Sequence, residues 1–437
     1  MRTRALASLI ALLIAFYVIW NVAPVLGNVS QQLPQVVVDA ILLGNLYFLI
    51  AVGITLTYTV AKFANFAHGD VATAGAYAAY LIYNFAIIAG IINNMALSVG
   101  IISLLLGILL IALWKMGGSS DALALGVPSA LTGLAILWAC FLQANLVDLI
   151  IISASVSALT SVLSHVLVYR PLSRRGATLV QLMVASIGVA LFVRYFLYEL
   201  AWYSRTYFNT EIMYQNFGIN LNSFQAWLMN NSLIVANTTA SFISDYVPAL
   251  SVGAQGIRII KVPSVDLLLS FPQPLLSFTD LHVWSTVTVL VILIAMTTMF
   301  KKTKIGKAWR AVADNPVLAA ACGIDVDSVI NLAWLVAGAL AGIGGLFWAM
   351  QTQIYPELGW MVLLNAFAVA VLGGLGSFWG TFVASYLLAF AEQLGVSILA
   401  SIDPQLTGYR FMIPFSVFLL VLFVKPEGIA GIRRRKA

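Results

Sequence analysis

The sequence has few charged residues for its length. Only 9% of its 437 residues are Asp, Glu, Lys or Arg, whereas 62% are hydrophobic. A soluble protein would carry charge on about a quarter of its residues, because charged side chains cover its surface. The composition therefore excludes a soluble multi-domain protein and predicts that lipid surrounds most of the chain.

Residues that form metal and catalytic sites are also scarce. The two cysteines, Cys140 and Cys322, lie in an apolar run and beside a charged loop, so we expect no disulfide between them and no metal. The three histidines, His68, His165 and His282, are far apart in the chain. The sequence has no serine nucleophile elbow and no Gly-x-x-x-x-Gly-Lys-Ser/Thr phosphate loop. We expect a protein that is not an enzyme, carries no cofactor and cannot hydrolyse ATP by itself.

Long apolar runs make up most of the chain. A helix that crosses about 30 Å of hydrocarbon needs roughly 20 apolar residues, whereas a membrane barrel would show shorter alternating strands. The runs lie near residues 5–26, 38–60, 69–92, 96–114, 122–143, 145–168, 178–200, 283–300, 331–352, 361–375, 381–400 and 411–424. We therefore predict an all-α, polytopic integral membrane protein with about 12 (10–12) transmembrane helices.

The basic residues predict the orientation. With the N-terminus inside and alternate threading, all but five of the 22 Lys and Arg residues fall on the cytoplasmic side, as basic residues near span ends do. The five exceptions are Arg194, Arg205, Arg258, Lys261 and Arg410. The net charge of +6 is thus a topology signal, and a nucleic-acid surface is not expected. Both termini are predicted to be cytoplasmic in a multi-pass protein of the plasma or inner membrane.

The same threading divides the chain into four parts. Residues 1–35 form an N-terminal anchor helix and a short outer loop, a cleaved signal peptide being the alternative. Residues 36–200 form a first transmembrane half, and residues 283–437 form a second half. Between them, the polar residues 201–282 form an external cap or a mobile loop, with possible glycosylation acceptors at Asn230 and Asn237.

Two segments interrupt the apolar helices. We call residues 65–70 the first break and residues 372–380 the second break. Irregular backbone at membrane depth is tolerated where it is buried in protein or lines a cavity, and paired interruptions in two halves indicate a transport pathway. The candidate pathway residues are Asn65, Phe66, His68 and Gly69 in the first break, and Gly373, Gly374, Gly376 and Ser377 in the second. The alternative is two ordinary hairpin turns on the cytoplasmic side, which Lys62 favours for the first.

A basic loop at residues 301–328 is predicted to contain two short helices at the membrane surface. Gly306 would open the first helix, and Asn315 would cap the second with Pro316 in its first turn. Gly323 suits the left-handed residue that ends a helix. An Ala-rich helix that projects into the cytoplasm could fill a groove on another protein; the alternative is a basic membrane anchor.

Five ordered motifs in the chain resemble permease subunits of branched-chain amino acid ABC transporters, most of all the LivH-type member of the pair. They are residues 43–75, with Asn65-Phe66-Ala67-His68-Gly69; residues 169–175 with the following 179–195; residues 306–315 with 320–324; residues 372–380 with Ala391-Glu392; and residues 425–429. The matched regions cover about residues 36–82, 160–200 and 283–430. The N-terminal span, the material around residues 84–140 and the loop 201–282 exceed the usual pattern.

The resemblance implies an ATP-driven importer of branched-chain or other hydrophobic amino acids that works by alternating access. The chain would pair in lipid with a homologous second permease, two cytoplasmic ATP-binding subunits and an extracytoplasmic substrate-binding protein. It further implies that the basic loop couples to the ATPases. The coupling residues would be Gly306, Arg310, Ala311, Asp314, Asn315 and Gly323.

Other functions stay open at the level of the sequence. Urea and short-chain amide permeases share much of the pattern. An ion-coupled secondary carrier would need carboxylates within the membrane, and Glu199 and Glu392 are available. Glu199 lies five residues from Arg194 and could form an interfacial pair with it, whereas Glu392 could line a pathway. A channel is a third class, although no filter motif is visible.

Overall fold

The protein is described from a computed structural model. It covers residues 2–87, 91–141, 146–208, 212–215, 259–262, 276–424 and 428–430, with side chains in the first helix from Gln32 onward. Most of the predicted external segment lies outside these residues, as do Asn230, Asn237 and the C-terminal basic run 433–436.

Helices form almost all of the described structure. The helices of the first half are α1 (Arg2–Ala61), α2 (His68–Ile87), α3 (Ile91–Lys115), α4 (Ser120–Phe141), α5 (Leu146–Ser164), a π-helical turn (His165–Tyr169), α6 (Arg170–Arg174) and α7 (Leu179–Phe208). The second half contains α8 (Asp280–Lys302), α9 (Lys304–Asp314), α10 (Pro316–Ala321), α11 (Val326–Gln351), α12 (Leu358–Gly373), α13 (Phe378–Ile402), a 3₁₀ helix (Pro404–Phe411) and α14 (Met412–Val424).

The described residues include one exception to the all-α prediction. Strands β1 (Ile259–Val262) and β2 (Leu276–Thr279) form a two-stranded antiparallel pair in which Ile259 is opposite Thr279. They belong to the segment that was predicted to lie outside the membrane, so the membrane region itself is helical. Short strands of four residues were not visible as an alternating pattern in the sequence.

The number of helices able to span a membrane is smaller than predicted. Eight helices in the described part of the chain are long and apolar enough to cross, so the expectation of about 12 spans is not confirmed. The apolar helix α12, Leu358–Gly373, has only 16 residues, and α14 has 13. Both correspond to runs that the sequence predicted as full spans.

A further difference concerns the N-terminal region. The sequence predicts two spans separated by a loop near residue 35, but α1 is a single continuous helix from Arg2 to Ala61. The helix continues through the residues between the two apolar runs, although Pro34 lies among them and proline disfavours a helix interior. The section from Gln32 to Ala61 is the part of α1 that could cross a membrane.

The core forms around the second half of α1. Leu46, Tyr47, Phe48, Leu49 and Ile50 are consecutive and each is at most 1% exposed. A helix that is apolar and buried on all sides belongs in the centre of a bundle. Helices α11, α13 and α12 pack around it, and α2 and α5 pack against α11.

Small residues allow α2, α5 and α11 to approach closely. The Ser153 hydroxyl donates a hydrogen bond to the Gly342 carbonyl at 2.7 Å, and the Ser157 hydroxyl donates to the Val71 carbonyl at 2.8 Å. The Ser161 hydroxyl donates to the Trp334 carbonyl at 2.8 Å. Such small and hydroxyl side chains are typical of helix interfaces in membranes, where close packing and hydrogen bonds hold helices together.

The loop containing α9 and α10 lies at one end of α11, and residues 212–215 lie at the other. Asp325 caps the start of α11 by accepting a hydrogen bond from the Ser328 backbone N–H at 3.2 Å. Beyond the opposite end of α11, Gln215 pairs with Ile354 in an antiparallel bridge. These two contacts place the basic loop and residues 212–215 on opposite faces of the bundle.

Candidate functional site

The first break re-enters the bundle. Helix α1 ends at Ala61, and α2 begins at His68, whose imidazole Nε2 lies 3.1 Å from the Ile50 carbonyl oxygen. Ile50 precedes the end of α1 by 11 residues, which corresponds to roughly 16 Å along a helix. The chain therefore turns back from the end of α1 and starts α2 deep inside the protein. Irregular backbone at this depth is buried in protein, as the prediction for such a segment requires.

The candidate residues of the first break make specific contacts there. Asn65 is 2% exposed, and its Oδ1 accepts hydrogen bonds from the Ala67 N–H and from the Tyr169 hydroxyl. The ring of Phe66 lies 5.2 Å from that of Phe367, and His68 is fully buried. The polar side chains of the first break therefore hold the irregular backbone in place.

Gly69 lies at a backbone contact between α2 and α12. A Cβ atom on Gly69 would overlap the carbonyl of Gly359, and a Cβ on Gly359 would overlap the carbonyl of Gly69. The Thr73 hydroxyl accepts a hydrogen bond from the Gly359 N–H at 2.8 Å. The two helix N-termini thus meet at van der Waals distance, and within this chain Gly69 serves close packing.

A buried ion pair fixes the beginning of α2 to α7. Asp70 is fully buried and accepts two hydrogen bonds from the Arg194 guanidinium, at 2.9 and 3.0 Å. The same guanidinium lies 4.8 Å from the centre of the Trp360 ring, in cation–π geometry. The sequence suggested that Arg194 pairs with Glu199, which is wrong. Asp70 forms the ion pair with Arg194 because the first break brings Asp70 back into the bundle beside α7.

The second break is a tight turn between α12 and α13. Gly374 and Gly376 have φ angles of +92° and +94°, which favour glycine, and Ser377 caps α13 by accepting a hydrogen bond from the Gly380 N–H. A Cβ on Gly373 would overlap the backbone of Gly380. Residues 428–430 cover the turn, since the Ile429 N–H donates to the Leu372 carbonyl at 2.7 Å.

Helix α12 connects the two breaks. It begins at the Gly69–Gly359 contact and ends at Gly373, so its 16 residues separate the breaks by about 24 Å along the helix axis. Both breaks also lie beside α1: His68 is within hydrogen-bond distance of the Ile50 carbonyl, and a Cβ on Gly376 would lie 3.3 Å from the Thr59 methyl group. The structure therefore brings the predicted pathway residues to one group of helices but at two different depths.

The predicted two-helix loop is present, and we define it as residues 303–325. Asn315 caps α10 by accepting hydrogen bonds from the Val317 and Leu318 N–H groups, with Pro316 in the first turn. Gly323 has a φ of +81°. These local predictions are confirmed. Thr303, rather than Gly306, caps α9, because its hydroxyl can reach the Gly306 N–H at 3.1 Å.

The two helices of the loop present different surfaces. Helix α9 buries Gly306, Trp309 and Val312 against the bundle and exposes Arg310 and Asp314. A Cβ on Gly306 would overlap the backbone of α8 at Met299 and Phe300. On α10 the outward side chains are apolar: Val317 is 78% exposed and Leu318 is 62% exposed. At the last residue of the loop, hydrogen bonds from Ser328 lower the pKa of the Asp325 carboxyl from its usual range.

Two polar clusters were not found from the sequence. In the first, the fully buried Tyr47 hydroxyl donates to Glu392 Oε2 at 2.5 Å and accepts from Asn365 Nδ2 at 2.7 Å. Arg410 Nε donates to Glu392 Oε1 at 2.6 Å. Glu392 was predicted as a possible pathway or ion-coupling carboxylate, but both of its oxygens are engaged within the bundle.

In the second cluster, Arg170 joins three helices. Its guanidinium pairs with Asp121 at the start of α4, at 2.6 Å, and with Asp327 in the first turn of α11. Asn331 Nδ2 also donates to Asp121, at 2.7 Å. The π-helical turn before Arg170 places Tyr169 against Asn65 of the first break. The motif at residues 169–175 was visible in the sequence, but its partners are 49 and 157 residues away.

The fold and the site define a polytopic membrane protein with re-entrant backbone and a two-helix surface loop. Comparison with known sequences gives its family. The chain belongs to the permease components of branched-chain amino acid transport systems, since the sequence model of that family matches residues 36–423. No solved structure gives a significant match to the chain.

Individual relatives agree with this assignment. The chain is 25% identical over 398 residues to the probable branched-chain amino acid transport permease protein LivH of Methanocaldococcus jannaschii, covering 91% of this chain and 92% of that protein. It is 23% identical over 399 residues to the permease protein BraD of Pseudomonas aeruginosa, covering 91% and 95%. The match to LivH of Escherichia coli K12 is 29% identical over 202 residues and spans 46% of this chain and 63% of that protein.

Proposed function

We propose that the chain is the membrane-spanning subunit of an ATP-driven importer for branched-chain or other hydrophobic amino acids. The observation that carries the proposal is the two-helix loop, which exposes apolar Val317 and Leu318 on a short capped helix at the face of the bundle opposite residues 212–215. The sequence contains no phosphate loop, so ATP would be hydrolysed by partner subunits.

The substrate class rests on the family and the relatives. Family and relatives are named for branched-chain amino acid transport. An uptake assay with the assembled transporter and a panel of Leu, Ile, Val, other amino acids and urea tests it. Uptake of Leu, Ile and Val but not of urea supports the proposal. Uptake of urea alone would assign the chain to an amide permease.

The proposed assembly contains a homologous second permease, two cytoplasmic ATP-binding subunits and an extracytoplasmic binding protein. We propose that α10 docks on an ATP-binding subunit, with Arg310 and Asp314 at the edge of the contact. An exposed apolar helix flanked by charged residues has the anatomy of a protein interface, in which apolar anchors lie centrally and charges lie at the rim. Gly306, Ala311, Asn315 and Gly323 would support the docking surface by shaping α9 and the ends of α10.

Substitutions at the docking surface test this assignment. Leu318→Asp and Arg310→Glu should abolish uptake and solute-stimulated ATP hydrolysis, because a charge reversal or a buried charge at a packed interface costs about 2–5 kcal/mol. Lys302→Glu is the matched control, since Lys302 is exposed at the end of α8 outside the loop. Normal uptake and ATP hydrolysis in both loop variants would contradict the docking proposal.

We propose, in addition, that the two breaks and α12 bound the translocation pathway between the paired permeases. Irregular backbone at depth at the start of α12 supports this proposal, as do the half-buried ring of Phe66 and the exposed Trp379 of the second break. Cysteines at Phe66 and Leu375 should react with a small thiol reagent at rates that depend on the transport state. A cysteine at Phe192, which is 74% exposed on α7, serves as the control. State-independent reaction at both positions would refute the pathway.

The orientation follows from the same proposal, with the two-helix loop and the chain termini in the cytoplasm. Cys322 is exposed in the loop, and Gln353 is exposed beyond the far end of α11. An impermeant maleimide should label a Gln353→Cys variant in intact cells, in a background without the native cysteines. In a second variant that keeps Cys322 as its single cysteine, Cys322 should react only after lysis. The reverse result would invert the orientation.

A further inference from the structure

The end of α1 has a backbone conformation that lysine rarely adopts. Lys62 follows the last residue of α1 and has a φ of +60°, in the left-handed region. Its N–H still donates to the Tyr58 carbonyl at 3.0 Å, so it terminates the helix in the position that glycine or asparagine usually takes. A lysine side chain here is strained by its own Cβ, which points to a role for the side chain.

The Lys62 side chain reaches the two-helix loop. Its ammonium group donates a hydrogen bond of 2.8 Å to the carbonyl of Ala313, which lies in the last turn of α9. Carbonyls in the last turn of a helix have no partner within the helix, and the negative end of the helix dipole lies there. Lys62 therefore caps the C-terminus of α9 with a positive charge.

A second contact ties the same two helices together. Trp309 of α9 is 2% exposed, and its indole Nε1 donates to the Thr59 hydroxyl at 3.1 Å, three residues before Lys62. The end of α1 is thus held to α9 at two places, the middle of α9 through Trp309 and its last turn through Ala313. A movement of α9 must move the end of α1 or break both hydrogen bonds.

The residues that follow Lys62 lead directly into the first break. Phe63 is 3% exposed and packs against the rings of Tyr169 and Trp334, and Asn65 is held by the Tyr169 hydroxyl. Lys62 therefore connects the surface helix α9 to the buried residues 63–68, which lead into α2.

We propose that Lys62 is a positioning residue that transmits movement of the two-helix loop to the first break. The proposal rests on the proposed function, because it takes α10 to be moved by a partner ATPase. When α10 moves, α9 moves with it, and the Lys62–Ala313 and Trp309–Thr59 hydrogen bonds carry the displacement to residues 63–68. The transmission of this movement then depends on the Lys62 ammonium group as hydrogen-bond donor. The left-handed backbone of Lys62 directs the ammonium group towards the Ala313 carbonyl.

Three substitutions separate the donor from the backbone conformation. Lys62→Met removes the donor, Lys62→Arg keeps a donor, and Lys62→Gly removes the donor while relieving the left-handed strain. Each is made in the assembled complex, in a background that lacks Cys140 and Cys322 and carries Phe66→Cys as a reporter in the first break. The readouts are the basal rate of ATP hydrolysis and the rate of maleimide labelling at the reporter, with and without ATP plus vanadate.

The expected result is a labelling rate that changes with nucleotide in the parent and in Lys62→Arg. In Lys62→Met and Lys62→Gly this change should shrink by a factor of roughly 2 to 30, at unchanged basal ATP hydrolysis. A purely structural role for Lys62 would lower assembly and ATP hydrolysis together and leave the nucleotide response of the remaining complex intact.

Nucleotide-dependent labelling of the same size in all four proteins would overturn the proposal, as would a parent that shows no nucleotide response at the first break. Failure of the docking proposal is recognised separately. In that case Leu318→Asp leaves ATP hydrolysis and the nucleotide response unchanged, whatever the Lys62 variants do.

Discussion

At the scale of single residues, the buried polar groups have defined partners that determine what each substitution should do. Glu392 is 1% exposed and lies between the Tyr47 hydroxyl and the Arg410 guanidinium. A carboxylate in this position is stabilised by its partners, and removing one of them leaves a buried charge uncompensated.

Arg410→Met should therefore destabilise the protein. Breaking a buried pair costs about 3–5 kcal/mol, and because the Arg410 side chain is 43% exposed, water at its end reduces our expectation to about 2 kcal/mol. The double variant Glu392→Gln/Arg410→Met should recover most of the loss, since it removes the unpaired charge. Thermal unfolding in detergent measures both. A double variant that is no more stable than Arg410→Met alone would contradict this account.

Gly69 provides a second test at this scale. Gly69→Ala should destabilise the protein by about 1–3 kcal/mol, because α2 and α12 would have to separate to admit a methyl group. Gly188→Ala on α7 is the matched control, since a Cβ there meets no atom within 4 Å. The yield of monodisperse protein and its melting temperature should fall in the first variant only. A loss of transport at normal yield would instead support a direct role of Gly69 in the pathway.

At the scale of elements, local patterns predicted local structure well. The cap at Asn315, the left-handed Gly323 and the positions of both breaks depend on residues within a few positions of one another. The continuous α1 and the short α12 were harder to foresee. Hydropathy does not show whether a polar segment between two apolar runs is helical, nor the depth at which a helix begins.

The contacts between elements depend on distant residues. Tyr47 and Glu392 are 345 positions apart, and Asp70 meets Arg194 across 124 positions. A single sequence contains no information on which helices are neighbours, so these pairs could not be predicted. The close approach of Gly69 to Gly359 became visible only with α12 placed opposite α2.

The interface of α5 gives a prediction for whole elements. Ser153, Ser157 and Ser161 each donate to a carbonyl of a neighbouring helix. Replacing all three by alanine should cost about 2 kcal/mol, at roughly 0.6 kcal/mol for each hydrogen bond between helices. Ser401→Ala is the control, because the Ser401 hydroxyl bonds within its own helix. Equal stability of the triple variant and the control, measured by unfolding in detergent, would show that these hydrogen bonds contribute nothing.

At the scale of the whole molecule, the bundle has two opposite faces with re-entrant backbone between them. The two-helix loop covers one end of α1 and α11, and residues 212–215 cover the opposite end of α11. Between them, α12 links the two breaks. This arrangement suits a subunit that receives movement at one face and changes access at the other, since coupling requires contacts that differ between two states.

Reconstitution tests the central claim that the chain acts as the membrane subunit of an ATP-driven importer. The chain is placed in vesicles with its second permease, ATP-binding subunits and substrate-binding protein, and uptake of radiolabelled leucine is measured with and without ATP and with and without an ion gradient. We expect uptake that requires ATP and the ATP-binding subunits, is unaffected by collapse of the gradient and is lost with Leu318→Asp. Gradient-driven uptake by the chain alone, without ATP, would contradict the account.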